Sequence, residues 1–219
     1  MARLLPVVIG LGIAGVALAI ARESVASVNW DTEDSGKGKK KGAKSMGGKT
    51  FAEKVKNAAR NLKPAVLASA YKWAKARGLP VIDVLTTIVL ESRGDPNAHA
   101  LTEKEDSRGA MQINIRAHGD TIKKLGYKPD DLYKLDVGIE VGTYIYAAKR
   151  KAVLDLLKKT TRKQEYDPAT LIRLYYAGPK YAIAWIAKGQ HFKNLEVYVD
   201  HWKEAKQAVA EATAQGAYA

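Results

Sequence analysis

The 219-residue chain contains no cysteine, which excludes disulfides and thiolate metal sites. Its four histidines (His99, His118, His191 and His201) show no metal-ligand spacing, so no catalytic metal and no other cofactor is expected. There is no internal repeat, and no alternating apolar–polar run is long enough to define a strand. Acidic residues are in deficit: 23 Asp and Glu against 36 Lys and Arg leave a formal net charge of +13. Such an excess favours anionic partners, whether nucleic acid, a membrane surface or cell-wall polymers, without choosing among them. The length gives room for one catalytic-sized domain with appendages.

Residues 4–21 (LLPVVIGLGIAGVALAIA) carry no charge and are flanked by Arg3 and Arg22. As a helix they would extend about 27 Å, close to the hydrocarbon thickness of a bilayer. Two readings compete for residues 1–23. The small-residue end Ala19-Ile20-Ala21 suits a signal-peptide cleavage site, whereas a retained anchor, the preferred reading, tolerates Pro6 near its start. The lack of a polar stripe argues against a buried soluble helix. Residues 24–63 are expected to form a flexible linker, because 31–50 shift to Asp, Ser, Gly and Lys. The run Lys37, Lys39, Lys40 and Lys41 is read either as a solubility feature or as a contact to DNA or anionic lipid. On the positive-inside rule those lysines would hold the following domain in the cytoplasm.

From residue 64 to 213 the pattern is that of one all-α domain. Ala65, Leu67, Ala68, Tyr71 and Ala74 recur at helical spacing between Pro64 and the stop Gly78. Pro80 opens a second helix with the apolar stripe Val81, Val84, Leu85, Ile88 and Val89, ended by Gly94-Asp95-Pro96. Further helices are expected near 117–125, 136–159, 168–177, 179–188 and 193–213.

Glu91 falls in the last turn of the second helix. There it faces the negative end of the helix dipole, which disfavours ionisation. Partial burial would raise its pKa further and keep it protonated near neutral pH, as a general acid requires. Taken alone, such a residue is more often a slightly unfavourable surface glutamate.

The surrounding residues change that balance. Glu91-Ser92-Arg93-Gly94-Asp95-Pro96-Asn97-Ala98 is followed by Ser107-Arg108-Gly109-Ala110-Met111-Gln112-Ile113-Asn114, and later by Leu174-Tyr175-Tyr176-Ala177-Gly178-Pro179. Gly138, Gly142 and Tyr144 fall on the long helix between them, and Tyr198 and Trp202 near the end. This set, in this order, resembles the soluble lytic transglycosylase family, whose domain has the goose-type lysozyme fold. The resemblance spans about 140 residues. Two departures stand out: Tyr176 replaces a frequent Asn, and the stretch between Ala98 and Gly109 carries extra charged residues (Glu103, Lys104, Glu105 and Asp106) with Ala100 in place of a common serine, whose hydroxyl is left to Ser107, to Thr102 or to nothing.

The resemblance implies an enzyme that cleaves the β-1,4 bond between N-acetylmuramic acid and N-acetylglucosamine in peptidoglycan glycan strands. Glycoside cleavage usually needs two carboxyl groups, but in this family one suffices. Glu91 would protonate the glycosidic oxygen while the substrate acetamido group stabilises the developing charge. Glu91 would then take the proton of the muramoyl 6-hydroxyl as that oxygen attacks the anomeric carbon, giving a 1,6-anhydro product. Ser92 would position Glu91 or contact sugar, or simply be a helix-end hydroxyl. Met111 and Gln112 would wall the cleft, the latter as an amide donor, with core packing the plainer role. Ser107, Tyr175 and Tyr176 complete the expected substrate contacts, although Tyr175 also fits as a core aromatic. Asp95 and Asp106 are the nearby candidates for a second carboxylate, and Asp95 is better explained as a turn residue.

Three biological roles fit these features. A virion-carried enzyme opening the wall during phage genome entry resolves the orientation conflict, since it is delivered from outside. A membrane-anchored cellular enzyme, facing the periplasm for wall remodelling or secretion-machine assembly, is the second. The third is an inactive structural or wall-binding protein, against which the retained Glu91-Ser92 pair and Gln112 frame argue. Virion or envelope assembly partners follow from the first two.

Overall fold

The computed structural model describes residues 50–103, 105–161 and 193–218. The expected apolar helix at 1–23, the lysine run, the helices near 168–177 and 179–188, and Tyr175 and Tyr176 lie outside the described residues. Among the described residues no helix is long and apolar enough to cross a membrane.

The described chain is mostly helical, as the periodicity requires. Among the described residues there are six α-helices: α1 (Phe51–Arg60), α2 (Pro64–Arg77), α3 (Val81–Ser92), α4 (Ile115–Lys124), α5 (Leu135–Thr161) and α6 (Lys193–Ala214). A 3-10 turn at Pro129–Tyr133 precedes α5. Three short strands lie between α3 and α4: β1 (His99–Leu101), β2 (Asp106–Arg108) and β3 (Ile113–Asn114). They form an antiparallel sheet in the order β1-β2-β3, with Ala100 opposite Ser107 and Ser107 opposite Asn114. Strands of two or three residues are too short to leave an alternating pattern, so the sequence reading missed them.

The linker was expected to run to residue 63, but it ends earlier. Thr50 and Glu53 form a reciprocal capping box, with Thr50 Oγ1 accepting from the Glu53 N–H and Glu53 Oε2 from the Thr50 N–H. The helix they start buries Val55, Ala58 and Ala59 against α6. These positions are spaced i, i+3 and i+4, so α1 belongs to the core.

Helix α2 has the expected ends, Pro64 at its first turn and Gly78 in the left-handed conformation at its stop. Its buried face is not the expected one. Val66, Ser69, Ala70 and Ala74 are buried, while Ala65, Ala68 and Tyr71 are exposed. Polar pairing decides the rotation. Ser69 Oγ, Trp73 Nε1 and Lys72 Nζ all donate to the Asp136 carboxylate, at 2.7, 2.9 and 2.7 Å, and so turn this face toward α5.

Helix α3 is the centre of the core, and residues 83–90 are all buried. Two of its buried hydroxyls are satisfied within the helix, Thr86 and Thr87 donating to the carbonyls of Ile82 and Asp83. Helix α6 packs antiparallel on it through Trp202, Ala205 and Val209. Side-chain clasps join the two helices at both ends. Lys206 Nζ donates to Asp83 Oδ1 at 2.8 Å, and Tyr198 Oη donates to Glu91 Oε1 at 3.0 Å. The pairs are eight positions apart on both helices, about 12 Å along the axis. Register between α3 and α6 is therefore fixed by one ion pair and one hydrogen bond to the carboxyl of interest.

Candidate functional site

Helix α3 delivers Glu91 to its last turn, where Arg93 in the left-handed conformation (φ 58°) and Gly94 (φ 85°) turn the chain away. Glu91 is partly buried as a residue, with its carboxyl turned into the protein and held by Tyr198. Its pKa is pushed up to about 7, chiefly because burial penalises the charged form. The Tyr198 hydrogen bond opposes this by stabilising the carboxylate, and the charge of Glu105 adds to the rise. Burial, one of the two effects expected from the sequence, is therefore the chief cause. The outcome is a carboxyl substantially protonated near neutral pH.

In the sequence Tyr198 stands out only for its place in the set of resembling residues near the chain end. Its placement gives it a directional effect on Glu91 that can be tested. In Tyr198→Phe the hydroxyl that favours the ionised form is lost, so the pKa of Glu91 rises. If protonated Glu91 is the working form, the alkaline limb of the pH–rate profile moves to higher pH. An unmoved limb in a folded variant would show that Tyr198 does not tune the acid.

The end of α3 is pinned to the sheet by Ser92. Its hydroxyl donates to the Ala110 carbonyl at 2.7 Å and accepts from the Gly94 N–H at 3.1 Å. The hydroxyl expected to position Glu91 or contact sugar is thus engaged in bracing the helix end against the 109–112 turn. Gln112 braces the same turn from the other side. Its backbone is left-handed (φ 44°), and its Nε2 donates to the carbonyls of Ala98 and Gly109 at 2.9 and 3.0 Å. Both amide protons are spent, so Gln112 is not the amide donor that the motif implied, and its remaining polar atom is the acceptor Oε1. Met111 is buried against α5, close enough to Gly142 that a Cβ there would come within 2.5 Å of the sulfur. Core packing accounts for its position.

Ser107 stands directly across the ladder from Ala100, in the neighbourhood where a hydroxyl was sought. It is fully buried and donates to Glu105 Oε1 at 2.6 Å. The other candidate, Thr102, accepts from the Glu105 N–H at 3.0 Å. Both candidate hydroxyls therefore serve Glu105, a residue the sequence reading grouped with surplus charges.

Neither aspartate considered as a second carboxylate is placed for that role. Asp95 is exposed and caps its own turn by accepting from the Asn97 N–H. Asp106 points to the opposite face of β2, where Arg108 donates to it twice and His99 approaches at 2.9 Å. Arg108 above all holds its carboxyl below the usual range. The sorting of Glu105 and Ser107 away from Asp106 and Arg108 left no readable alternation, because β2 is three residues long and set in a run of charges.

No protein-family model and no curated protein matches the chain.

Proposed function

We propose that the protein is a peptidoglycan lytic transglycosylase with a lysozyme-like domain and with Glu91 as its acid and then its base. The observation that carries this reading is a buried carboxyl, pushed up to about 7, at the end of a core helix and held by a tyrosine hydroxyl. A group of that pKa both gives and takes a proton at neutral pH, as one residue serving two steps must. The sequence resemblance supplies the substrate. Glu91 donates its proton to the β-1,4 glycosidic oxygen, and the bond to the anomeric carbon breaks. The resulting carboxylate then removes the proton of the muramoyl 6-hydroxyl while that oxygen bonds to the same carbon. The 1,6-anhydro product forms without consuming water, and Glu91 regains its proton.

The role that best fits the chain is local wall opening by a virion-carried enzyme during phage genome entry. An apolar segment followed by a lysine run disfavours export of the domain by the producing cell, and delivery from outside avoids that barrier. Digestion of purified sacculi followed by mass analysis tests the activity. Soluble anhydro-muropeptides are expected from the intact protein. Fragments heavier by one water would make it a hydrolase, and no soluble fragments would overturn the enzyme reading.

A further inference from the structure

Glu105 is 5% exposed, and among the described residues no Lys, Arg or His pairs with it. A buried carboxylate without a cation costs stability, so packing alone gives no reason for it. Its geometry is nevertheless fixed. Ser107 Oγ donates to Oε1 at 2.6 Å, the Glu105 N–H donates to Thr102 Oγ1, and the Thr102 N–H donates back to the Glu105 carbonyl at 2.8 Å. Two hydroxyl side chains and a closed turn thus hold one buried acid. The strand carrying Ser107 pairs with β3, and the turn joining them is tied to the end of α3 by Ser92. Glu105 and Glu91 are therefore mounted on braced elements, and the charge of the first is felt at the second.

Two carboxyls whose charges interact, one kept protonated and one serving as an anion, form the pair that glycosidic cleavage exploits. When the leaving oxygen takes a proton, positive charge develops at the anomeric carbon and ring oxygen. A fixed anion in a water-poor site stabilises that charge without reorganising at the moment of reaction. We propose that Glu105 is the anionic carboxyl of the site, stabilising the sugar cation in the transition state, with Ser107 as the positioning residue that orients it. The proposal rests on the glycan-cleaving reading above. It adds a second carboxyl where the resemblance requires only one, and it is independent of whether the 6-hydroxyl or water completes the reaction.

The test compares the full-length protein with Glu105→Gln and Glu105→Asp, measuring release of soluble fragments at saturating sacculi alongside the thermal midpoint. Glu105→Gln removes the charge but keeps the shape. It should lose about 100-fold in rate with a midpoint equal to or above that of the unmodified protein, because an unpaired buried charge has gone. Glu105→Asp should recover about tenfold relative to Gln, since it restores the anion at a slightly shorter reach. Glu105→Gln should also move the alkaline limb of the pH–rate profile to lower pH, because a like charge no longer raises the pKa of Glu91. A Gln variant within about threefold of the unmodified rate would overturn the proposal. So would a Gln variant whose midpoint falls and whose activity Asp does not restore, which marks a structural residue. If the unmodified protein releases nothing, the glycan-cleaving reading fails first and this inference with it.

Discussion

Glu91→Gln should abolish glycan cleavage, by about 1,000-fold or more, and at the same time make the protein more stable above neutral pH. The first effect follows because glutamine keeps the shape and the hydrogen bond from Tyr198 but has no proton to give. The second follows from the raised pKa. A carboxyl that titrates near 4.5 in the unfolded chain and near 7 in the folded one favours folding only while protonated. Its contribution is complete below about pH 4.5 and is lost as pH rises through 7, where ionising the buried group costs about 3 kcal/mol. Glutamine never ionises. Thermal melts of the two proteins should therefore coincide near pH 4 and separate by pH 8, the variant melting higher. Activity loss with lower stability at pH 8 would mean that Glu91 holds the fold together, and retained activity would remove it from the mechanism. A gain in stability with a loss of activity is the mark of a group retained for chemistry.

The same contrast separates what could be read in the sequence from what could not. Long helices with strong periodicity and marked ends were legible: α3 between Pro80 and Gly94, α5 and α6 occur where the apolar pattern put them. Helix α2 was legible in extent but not in facing. Alanine occupies several of its sides, so apolar spacing could not distinguish Ala68 from Ala70, and the pairing of Ser69 and Trp73 with Asp136 made the choice. Helix α1 carried a readable start at Thr50 and Glu53, masked by the glycine- and lysine-rich residues just before it. At the candidate site, the placement of Glu91 was legible because it depends on one helix. Ser92, Met111 and Gln112 were picked out as important, but their partners come from other elements. Sequence cannot tell whether an amide faces a sugar or the carbonyls of Ala98 and Gly109. Glu105 was missed because its environment depends on a strand of three residues and on which neighbours in a charged run turn inward.

Gly109→Ala should cost about 3 kcal/mol or more and lower activity as well, although residue 109 lies in a turn and bears no chemistry. Two separate penalties add. Its φ of +78° is left-handed, where a Cβ costs about 1–2 kcal/mol. The added methyl would also overlap the Leu132 carbonyl oxygen, a backbone atom of the 3-10 turn before α5. Retreat of that carbonyl is blocked, because Gly138 closes on the same oxygen and even its own missing Cβ would lie within 2.5 Å. The turn must therefore move instead. It carries the Gly109 carbonyl that accepts from Gln112 and the Ala110 carbonyl that holds Ser92, so its displacement reaches the end of α3 and Glu91. For a domain of this size the loss corresponds to a fall in Tm of roughly 6–12 °C. Gly78→Ala is the internal control. Its φ of +63° is equally left-handed, but nothing lies within 4 Å of the added methyl, so it should lose only about 1 kcal/mol and keep its activity. The difference between the two variants isolates the clash. Equal losses would show that backbone conformation alone, and not the packing of the turn against Leu132, holds this wall of the site in place.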